Sequence, residues 1–266
     1  MNKKVRLTSV NGLGGAVAAI ELISPESGNT VDFTFADELL EAVKSIDQNT
    51  RCITLTAEGK NFCLGGDLSA FASAPSPGEF VGELAVRLHE ALVALRELLI
   101  PVVIGTQGWA AGAGMSLAFA GDICVVEQSS RFRIAYGAVG LTPDGGMSWT
   151  LPRAVGRAVT MDLFLTQRVL GAEEALHLGA VSRVVTDGEA RAVVEDIART
   201  IASGPASALR STKMLVEESL SASFSDQLDS EAKIIALAAA GDEGREGIRA
   251  FQEHRLPVFT NLDLTR

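Results

Sequence analysis

Two glycine-rich turns punctuate this sequence: Phe62-Cys63-Leu64-Gly65-Gly66-Asp67-Leu68 and Gly108-Trp109-Ala110-Ala111-Gly112-Ala113-Gly114. Each turn follows an apolar, strand-like run and leads toward a helix-like one. Glycine allows backbone conformations and close approaches that a Cβ forbids. Two such turns that meet in space could direct two backbone N–H groups at one oxygen atom. The pair therefore predicts an oxyanion hole, which is built from fixed amide donors.

Length and composition limit the classes of protein to consider. The 266 residues are 47% hydrophobic, enough for a large core, and carry a formal net charge of −10. This acidic balance, without a stripe of Lys and Arg, argues against a nucleic-acid partner. The longest apolar region, residues 100–126, is interrupted by Gln107, Ser116 and Asp122, so we expect a buried strand, turn and helix rather than a membrane span. Since no signal-peptide pattern follows the N-terminal lysines, we expect a cytoplasmic protein.

Cysteine and histidine are few and scattered. The three cysteines show no CxxC spacing, which argues against a disulfide framework and against a zinc cluster. The three histidines, His89, His177 and His254, lie far apart in the sequence, and we expect structural roles for them. The sequence therefore predicts no metal site.

Strand-like and helix-like segments alternate from Val5 to about Val185, which predicts an α/β fold with a buried sheet. The first helix has Thr34 as its predicted N-cap. The Pro-rich stretch 73–78 is predicted to be a loop, since proline and small polar residues favour turns. A long helix is expected from about residue 79 to residue 99, because leucines recur there on one face.

Beyond about Pro205 the pattern is helical only. The apolar stretch 234–238 lies within one of the predicted helices, which indicates packing on the main domain or on another subunit. We therefore divide the chain into an α/β core, residues 1–200, and a C-terminal helical region, residues 201–266, and expect the two to fold together. The predicted helical segments are 206–220, 224–240 and 242–253.

Four stretches carry a family resemblance, and they occur in a fixed order. They are Asn61-Phe62-Cys63-Leu64-Gly65-Gly66-Asp67-Leu68, residues 101–114 with the second glycine turn, residues 140–153 with Leu141-Thr142-Pro143-Asp144-Gly145-Gly146, and residues 175–185. Together they resemble the enoyl-CoA hydratase/isomerase (crotonase) superfamily over nearly the whole chain. Any one stretch would be a weak signal, but four in order are specific.

The resemblance implies a crotonase-like spiral of ββα units with C-terminal helices that build a homotrimer or a hexamer. It also implies an acyl-coenzyme A thioester as substrate and no separate cofactor, because coenzyme A enters as part of the substrate. The backbone N–H groups of Gly66 and Ala113 would hold the thioester carbonyl oxygen. The substrate site would further include Leu64, Gly65, Asp67, Leu68, Gly112, Ser116 and Tyr136.

The chain departs from the hydratase pattern at two positions. Hydratases of this family carry one glutamate just after the second glycine turn and another further along, where this chain has Ser116 and Tyr136. Neither residue is an efficient carboxylate base. Asp144 remains, in a Pro-Asp-Gly setting that resembles the single acidic residue of the family's isomerases. One carboxylate suffices to remove a proton from one carbon and return it to another, so we predict an acyl-CoA isomerase with Asp144 as its acid and base.

Other roles stay open for the two aspartates near the glycine turns. Asp144 could instead, or in addition, cap the helix that follows it, since Asp is a favoured N-cap residue. For Asp67, which directly follows the first turn, we favour bracing of that loop over a catalytic role.

Four other functions are kept as alternatives. An enoyl-CoA hydratase with atypical residues and an acyl-CoA binder without catalysis both keep the same fold. A serine hydrolase is suggested by Gly114-Met115-Ser116-Leu117-Ala118, which looks like a nucleophile elbow, with His177 or His254 as the partner. Dinucleotide binding is suggested by Gly112-Ala113-Gly114, but the third glycine of that fingerprint is replaced by Leu117.

Overall fold

The computed structural model of the chain describes residues 3–12 and 15–260. Within these residues the strands are β1 (Val5–Gly12), β2 (Gly15–Leu22), β3 (Thr50–Ala57), β4 (Val102–Thr106), β5 (Trp109–Ala111), β6 (Ile123–Glu127), β7 (Arg131–Arg133), β8 (Leu170–Gly171) and β9 (Arg183–Val185). The α-helices are α1 (Phe33–Lys44), α2 (Leu68–Ser73), α3 (Pro77–Glu97), α4 (Ala113–Ala118), α5 (Met147–Thr166), α6 (Ala172–His177), α7 (Ala190–Ser203), α8 (Ala206–Ser219), α9 (Phe224–Ala240) and α10 (Asp242–Gln252).

The larger sheet has the strand order β1-β2-β3-β4-β6-β9. Strands β1 and β2 are antiparallel, and the other neighbours are parallel. Helices α1 and α3 pack on one face and α7 on the other, so that β3 is buried along its whole length. A parallel strand covered on both faces is mostly apolar, and residues 52–56 combine Cys52, Ile53 and Leu55 with two buried threonines. The predicted α/β class is confirmed.

A second, smaller sheet has the strand order β5-β7-β8, and its first strand is part of the second glycine turn. Strand β5 follows β4 after two residues and pairs in parallel with β7, while β8 closes the sheet in antiparallel pairing. Helix α4 begins at Ala113, one residue after the end of β5. The turn at residue 112 is therefore fixed on both sides by regular structure.

Buried charged side chains hold the C-terminal part of the chain in place. The guanidinium group of Arg51 in the core donates hydrogen bonds to the carbonyl oxygens of Gly204 (2.9 Å) and Phe259 (2.7 Å). The carboxylate of Glu243 in α10 accepts the N–H of Ser207 at 3.0 Å and so joins α10 to the start of α8, where a helix favours negative charge. Helix α7 runs through residue 200 on the main sheet, and the division into 1–200 and 201–266 stays a prediction.

The predicted N-cap of the first helix is wrong. Asp32, not Thr34, precedes α1 in an extended conformation, and its Oδ1 atom accepts the N–H of Phe35 at 2.9 Å. Two favourable capping residues stand two positions apart here, and the chain enters the helix at the first of them.

The predicted loop over residues 73–78 is shorter in the structure. The short helix α2 ends at Ser73, and α3 begins at Pro77, where the fixed φ of proline suits the first helical position. Residues 74–76 remain as the connection. No helix in the described part of the chain has the length and apolarity that a bilayer crossing requires.

Candidate active site

The two glycine turns lie against each other in the structure. Cys63 and Ala110 form a parallel β-bridge, and the N–H of Ala111 donates to the carbonyl oxygen of Cys63 at 2.9 Å. A Cβ on Gly65 would lie 2.7 Å from the carbonyl oxygen of Ala111, and one on Gly114 would overlap the carbonyl group of Cys63. Glycine is required at these two positions because backbone packs on backbone.

Both turns contain backbone N–H groups without a partner, among them those of Gly66 and Ala113. Around Gly66, the N–H of Val31 donates to the carbonyl of Gly65 (2.8 Å) and the N–H of Asp67 to the carbonyl of Val31 (3.1 Å). The N–H groups of Gly66 and Ala113 themselves donate to no acceptor among residues 3–12 and 15–260. Ala113 is the first residue of α4, where helix geometry supplies no acceptor. Two amide donors are thus available for a ligand.

Gly66 and Ala113, whose amides are unpaired, both line one cavity of about 240 Å³. It also receives the carboxylate-bearing residue Asp144 and the aromatic residue Tyr136, while most of its wall is aliphatic or aromatic. An apolar cavity with a few polar groups is the usual form of a small-molecule site. The predicted site residues along its wall are Leu64, Gly65, Gly66, Leu68, Gly112, Ala113, Tyr136 and Asp144.

Two predicted substrate-binding residues do not line this cavity. The carboxylate of Asp67 caps α2, accepting the N–H groups of Ser69 (3.0 Å) and Ala70 (3.2 Å). This capping matches the bracing role expected for Asp67. Ser116 is buried behind the wall and acts on it only through its neighbours.

Apart from Leu68, the cavity residues that come from α2 and α3 were not predicted from the sequence. Phe71 from α2, with Leu84 and Leu88 from α3, supplies apolar wall. The spacing of the leucines showed a buried helix face, but periodicity does not tell whether such a face contacts protein or a cavity.

Three predicted side chains meet at one point. The hydroxyl group of Tyr136 donates to Oδ1 of Asp144 in a very short hydrogen bond. The hydroxyl group of Ser116 donates to the backbone carbonyl of Asp144 at 2.9 Å and lies 3.2 Å from the hydroxyl oxygen of Tyr136. The two residues that replace the hydratase glutamates therefore hold the remaining aspartate.

Burial and the neighbouring carboxylate change the acidity of Tyr136. The ring is 9% exposed, and desolvation, followed by the charge of Asp144, raises the pKa of its hydroxyl group well above the ordinary value. Tyr136 therefore remains protonated and acts as a hydrogen-bond donor.

The structure does not use the side chain of Asp144 as a helix cap. The N-cap of α5 is Gly146, with φ of 79°, and no side chain caps that helix. Gly145, also in the left-handed region at φ 59°, donates its N–H to Nε2 of His89 at 3.0 Å. These two glycines turn the chain so that Asp144 faces Tyr136 instead of the helix.

The serine hydrolase alternative lacks its base. Ser116 is 3% exposed, and its hydroxyl group contacts Tyr136 and the carbonyl groups of Asp144 and Gly112. No histidine in residues 3–12 or 15–260 hydrogen-bonds to it, whereas an activated serine needs an adjacent base.

The cysteine in the first glycine turn is not a nucleophile. Cys63 is fully buried, and desolvation raises the pKa of its thiol to about 12. The reactive form of cysteine is the thiolate, which is scarcely populated near neutral pH at this position.

Comparisons with known proteins agree with this geometry. The family model of enoyl-CoA hydratase/isomerase matches residues 12–262. The chain is 35% identical to 1,2-epoxyphenylacetyl-CoA isomerase of Escherichia coli (strain K12) over 248 residues, covering 92% of this chain and 95% of that protein. It is also 35% identical to a protein of Rhodobacter capsulatus named probable enoyl-CoA hydratase, over 92% of this chain and 94% of the other.

A solved structure shares the fold. The crystal structure of an enoyl-CoA hydratase from Bacillus anthracis superimposes with a TM-score of 0.90 at 25% identity, covering 97% of this chain and 100% of that one. The crotonase-like fold expected from the sequence is thereby confirmed. From the ordered motifs, the family match and the shared fold, we conclude that the chain belongs to the enoyl-CoA hydratase/isomerase (crotonase) superfamily.

Proposed function

We propose that this protein is an acyl-CoA isomerase that moves a carbon–carbon double bond through an enolate at the thioester. In this proposal the N–H groups of Gly66 and Ala113 bind the thioester carbonyl oxygen, and Asp144 transfers the proton. No resident cofactor takes part, since coenzyme A belongs to the substrate.

One observation carries the proposal: a single cavity contains two unpaired amide donors and one carboxylate-bearing residue. Negative charge that develops on a carbonyl oxygen is stabilised by such donors, each worth roughly 2.7–4 kcal/mol. The only acidic residue among the described residues that line the cavity is Asp144. This matches a reaction that needs one base and no second carboxylate.

The proposed steps balance with a single proton. Asp144 removes a proton from the carbon between the carbonyl group and a 3,4 double bond, and the electron pair forms an enolate whose oxygen accepts the two amide hydrogens. The electrons then return through the conjugated system, Asp144 gives the proton to the fourth carbon, and the double bond lies between carbons 2 and 3. General acid–base catalysis of this kind typically contributes about 10²–10⁴-fold in rate.

The second candidate is enoyl-CoA hydration. It is favoured by the 35% identity to a protein named probable enoyl-CoA hydratase. Hydration needs groups that hold and ionise a water molecule next to the double bond. The positions that carry glutamates in hydratases of the family hold Ser116 and Tyr136, which already hydrogen-bond to Asp144. This arrangement supports isomerisation over hydration.

The test follows a 3-enoyl-CoA in deuterated water, by product analysis and by mass spectrometry of exchanged hydrogen. The proposal expects a 2-enoyl-CoA product, with deuterium in it only as far as the proton on Asp144 exchanges with solvent before it is returned. Asp144→Asn should lower the rate of product formation at least about 100-fold. The matched control is Asp32→Asn, which changes an aspartate outside the cavity and keeps a favourable N-cap.

Three results would contradict the proposal, and they differ from one another. A 3-hydroxyacyl-CoA product would indicate a hydratase. Tight binding of the thioester without exchange or turnover would indicate a non-catalytic binder. Equal rates for the wild type and Asp144→Asn would show that another group is the base.

A further inference from the structure

We infer that Tyr136 is a positioning residue: its hydroxyl group holds Oδ1 of Asp144 so that Oδ2 alone is left to transfer the proton. This inference rests on the proposed function, because it assumes that Asp144 is the base. It adds a role to a residue that lies where the family's hydratases carry a glutamate.

The contacts of Asp144 give the first step of the argument. Oδ1 accepts the hydrogen bond of Tyr136, while Oδ2 accepts none within the described part of the chain. A hydrogen bond between a hydroxyl group and a carboxylate is charge-assisted and about twice as strong as a neutral one. It restricts the rotation of the carboxyl group and makes its two oxygen atoms unequal.

Tyr136 is itself held firmly. Its N–H donates to the carbonyl of Ile134 (2.8 Å), and its own carbonyl accepts the N–H groups of Val139 (3.1 Å) and Leu141 (3.0 Å). The segment between Tyr136 and Asp144 is therefore anchored by backbone bonds at one end and by the side-chain bond at the other. A fixed donor can determine where the carboxylate lies.

The chemistry of the hydroxyl group supports the same role. Burial and the charge of Asp144 raise the pKa of Tyr136, so that its proton stays on the tyrosine oxygen. A donor that stays protonated keeps its hydrogen bond to the carboxylate, and so holds the carboxylate in one orientation. Tyr136 thus keeps Asp144 oriented.

Ser116 provides a natural comparison within the same cluster. Its hydroxyl group holds the backbone carbonyl of Asp144, whereas that of Tyr136 holds the carboxylate. Both hydroxyl groups are buried, and removing either one leaves a small gap. Only the loss of the tyrosine hydroxyl removes a hydrogen bond to the carboxylate of Asp144, the group proposed to transfer the proton.

The first experiment compares Tyr136→Phe, which keeps the ring, with Ser116→Ala. For Tyr136→Phe we expect a roughly 10–100-fold lower kcat, as for a lost hydrogen bond to a charged group, with KM changed less. Ser116→Ala, which leaves the bond between Tyr136 and the carboxylate in place, should lower kcat less.

The second experiment does not need turnover. Tyr136 is the only tyrosine of the chain, so incorporation of 3-fluorotyrosine gives a single-site ¹⁹F NMR probe. Its resonance should shift when Asp144→Asn replaces the charged acceptor of the tyrosine hydroxyl. It should stay in place in Asp32→Asn, which changes an aspartate outside the cavity.

The outcomes separate this inference from the proposed function. If the wild type converts a 3-enoyl-CoA but Tyr136→Phe has the wild-type kcat, the positioning role is wrong and the isomerase proposal stands. A ¹⁹F resonance that does not respond to Asp144→Asn also overturns it. If the wild type forms no 2-enoyl-CoA from a 3-enoyl-CoA, the proposed function fails.

Discussion

The cavity around Asp144 and the C-terminal helices differ in where their polar and apolar side chains lie. At the cavity, polar side chains such as Ser116 and Tyr136 are buried and satisfy one another, and apolar side chains form the wall. At the C-terminal helices, Arg51 of β3 and Glu243 of α10 make buried polar contacts, while Ile235 and Leu237 are 70% and 72% exposed. No side chain of α9 is buried.

The difference indicates a division of labour within one chain. The chemical groups of the proposed reaction lie in the α/β core, whose packing is complete. The C-terminal helices leave a large apolar surface uncovered, and such surfaces mark association sites. The homotrimer or hexamer that the family resemblance implies stays a prediction, and α9 is the surface on which to test it.

The largest effect is expected from Gly114→Ala at the second glycine turn. The added Cβ would overlap the carbonyl group of Cys63, so the start of α4 must move and take the amide of Ala113 with it. Loss of an oxyanion donor typically costs about 10²–10³-fold in kcat. Steady-state kinetics with a 3-enoyl-CoA measures this, and Gly78→Ala, where a Cβ meets nothing within 4 Å, is the control. Wild-type kinetics in Gly114→Ala would show that the contact of the two turns does not set the chemistry.

Arg51→Met tests how the C-terminal helices are attached. It removes the donor for the carbonyls of Gly204 and Phe259 inside a buried site, and we expect the free energy of unfolding to fall by about 2–3 kcal/mol. Urea denaturation measures the change. The control is Arg199→Met, at an exposed arginine of α7. An equal, small effect of both substitutions would mean that the attachment depends on other contacts.

Leu237→Asp tests the exposed apolar surface of α9. If copies of the chain associate there, a buried charge should weaken association at least about tenfold, or 1.4 kcal/mol. Analytical ultracentrifugation over a concentration series measures it. Leu165→Asp is the matched control, because Leu165 is 73% exposed but lies in α5. A wild-type chain that sediments as a monomer, or an equal effect of the control, would remove α9 from the interface.

The smallest expected effect is the pH dependence that the three thiols of the core give to the free energy of unfolding. Burial raises the pKa of Cys52, Cys63 and Cys124 to about 12, so the folded state disfavours the thiolate. The stabilisation is present below the unfolded pKa of about 8.5 and is lost as pH rises toward 12. At pH 8.5 the loss is about 0.4 kcal/mol per thiol. Urea denaturation from neutral to mildly alkaline pH should show this decline in the free energy of unfolding. A thiol reagent should label the unfolded protein but not the folded one. Rapid labelling of the folded chain would contradict the burial.

Much of the site could be predicted from local sequence. The glycines at 65 and 114 indicated close backbone contact, because a missing Cβ is a property of the residue itself. The Pro-Asp-Gly stretch indicated Asp144, because it is a short pattern of neighbouring residues. The N-cap at Asp32 instead of Thr34 was missed, since two capping residues compete and the packing of α1 selects one. Phe71 and Leu88 were missed as cavity residues, because a helical period looks the same against protein and against empty space.

Sequence alone was enough for the α/β class, the order of the motifs and the set of chemical groups, because backbone propensity and residue chemistry are carried by neighbouring residues. Tertiary structure alone brought Tyr136 and Ser116 onto Asp144 and left the amides of Gly66 and Ala113 unpaired in one cavity. The distance between groups far apart in the chain is a property of packing, and no local pattern encodes it.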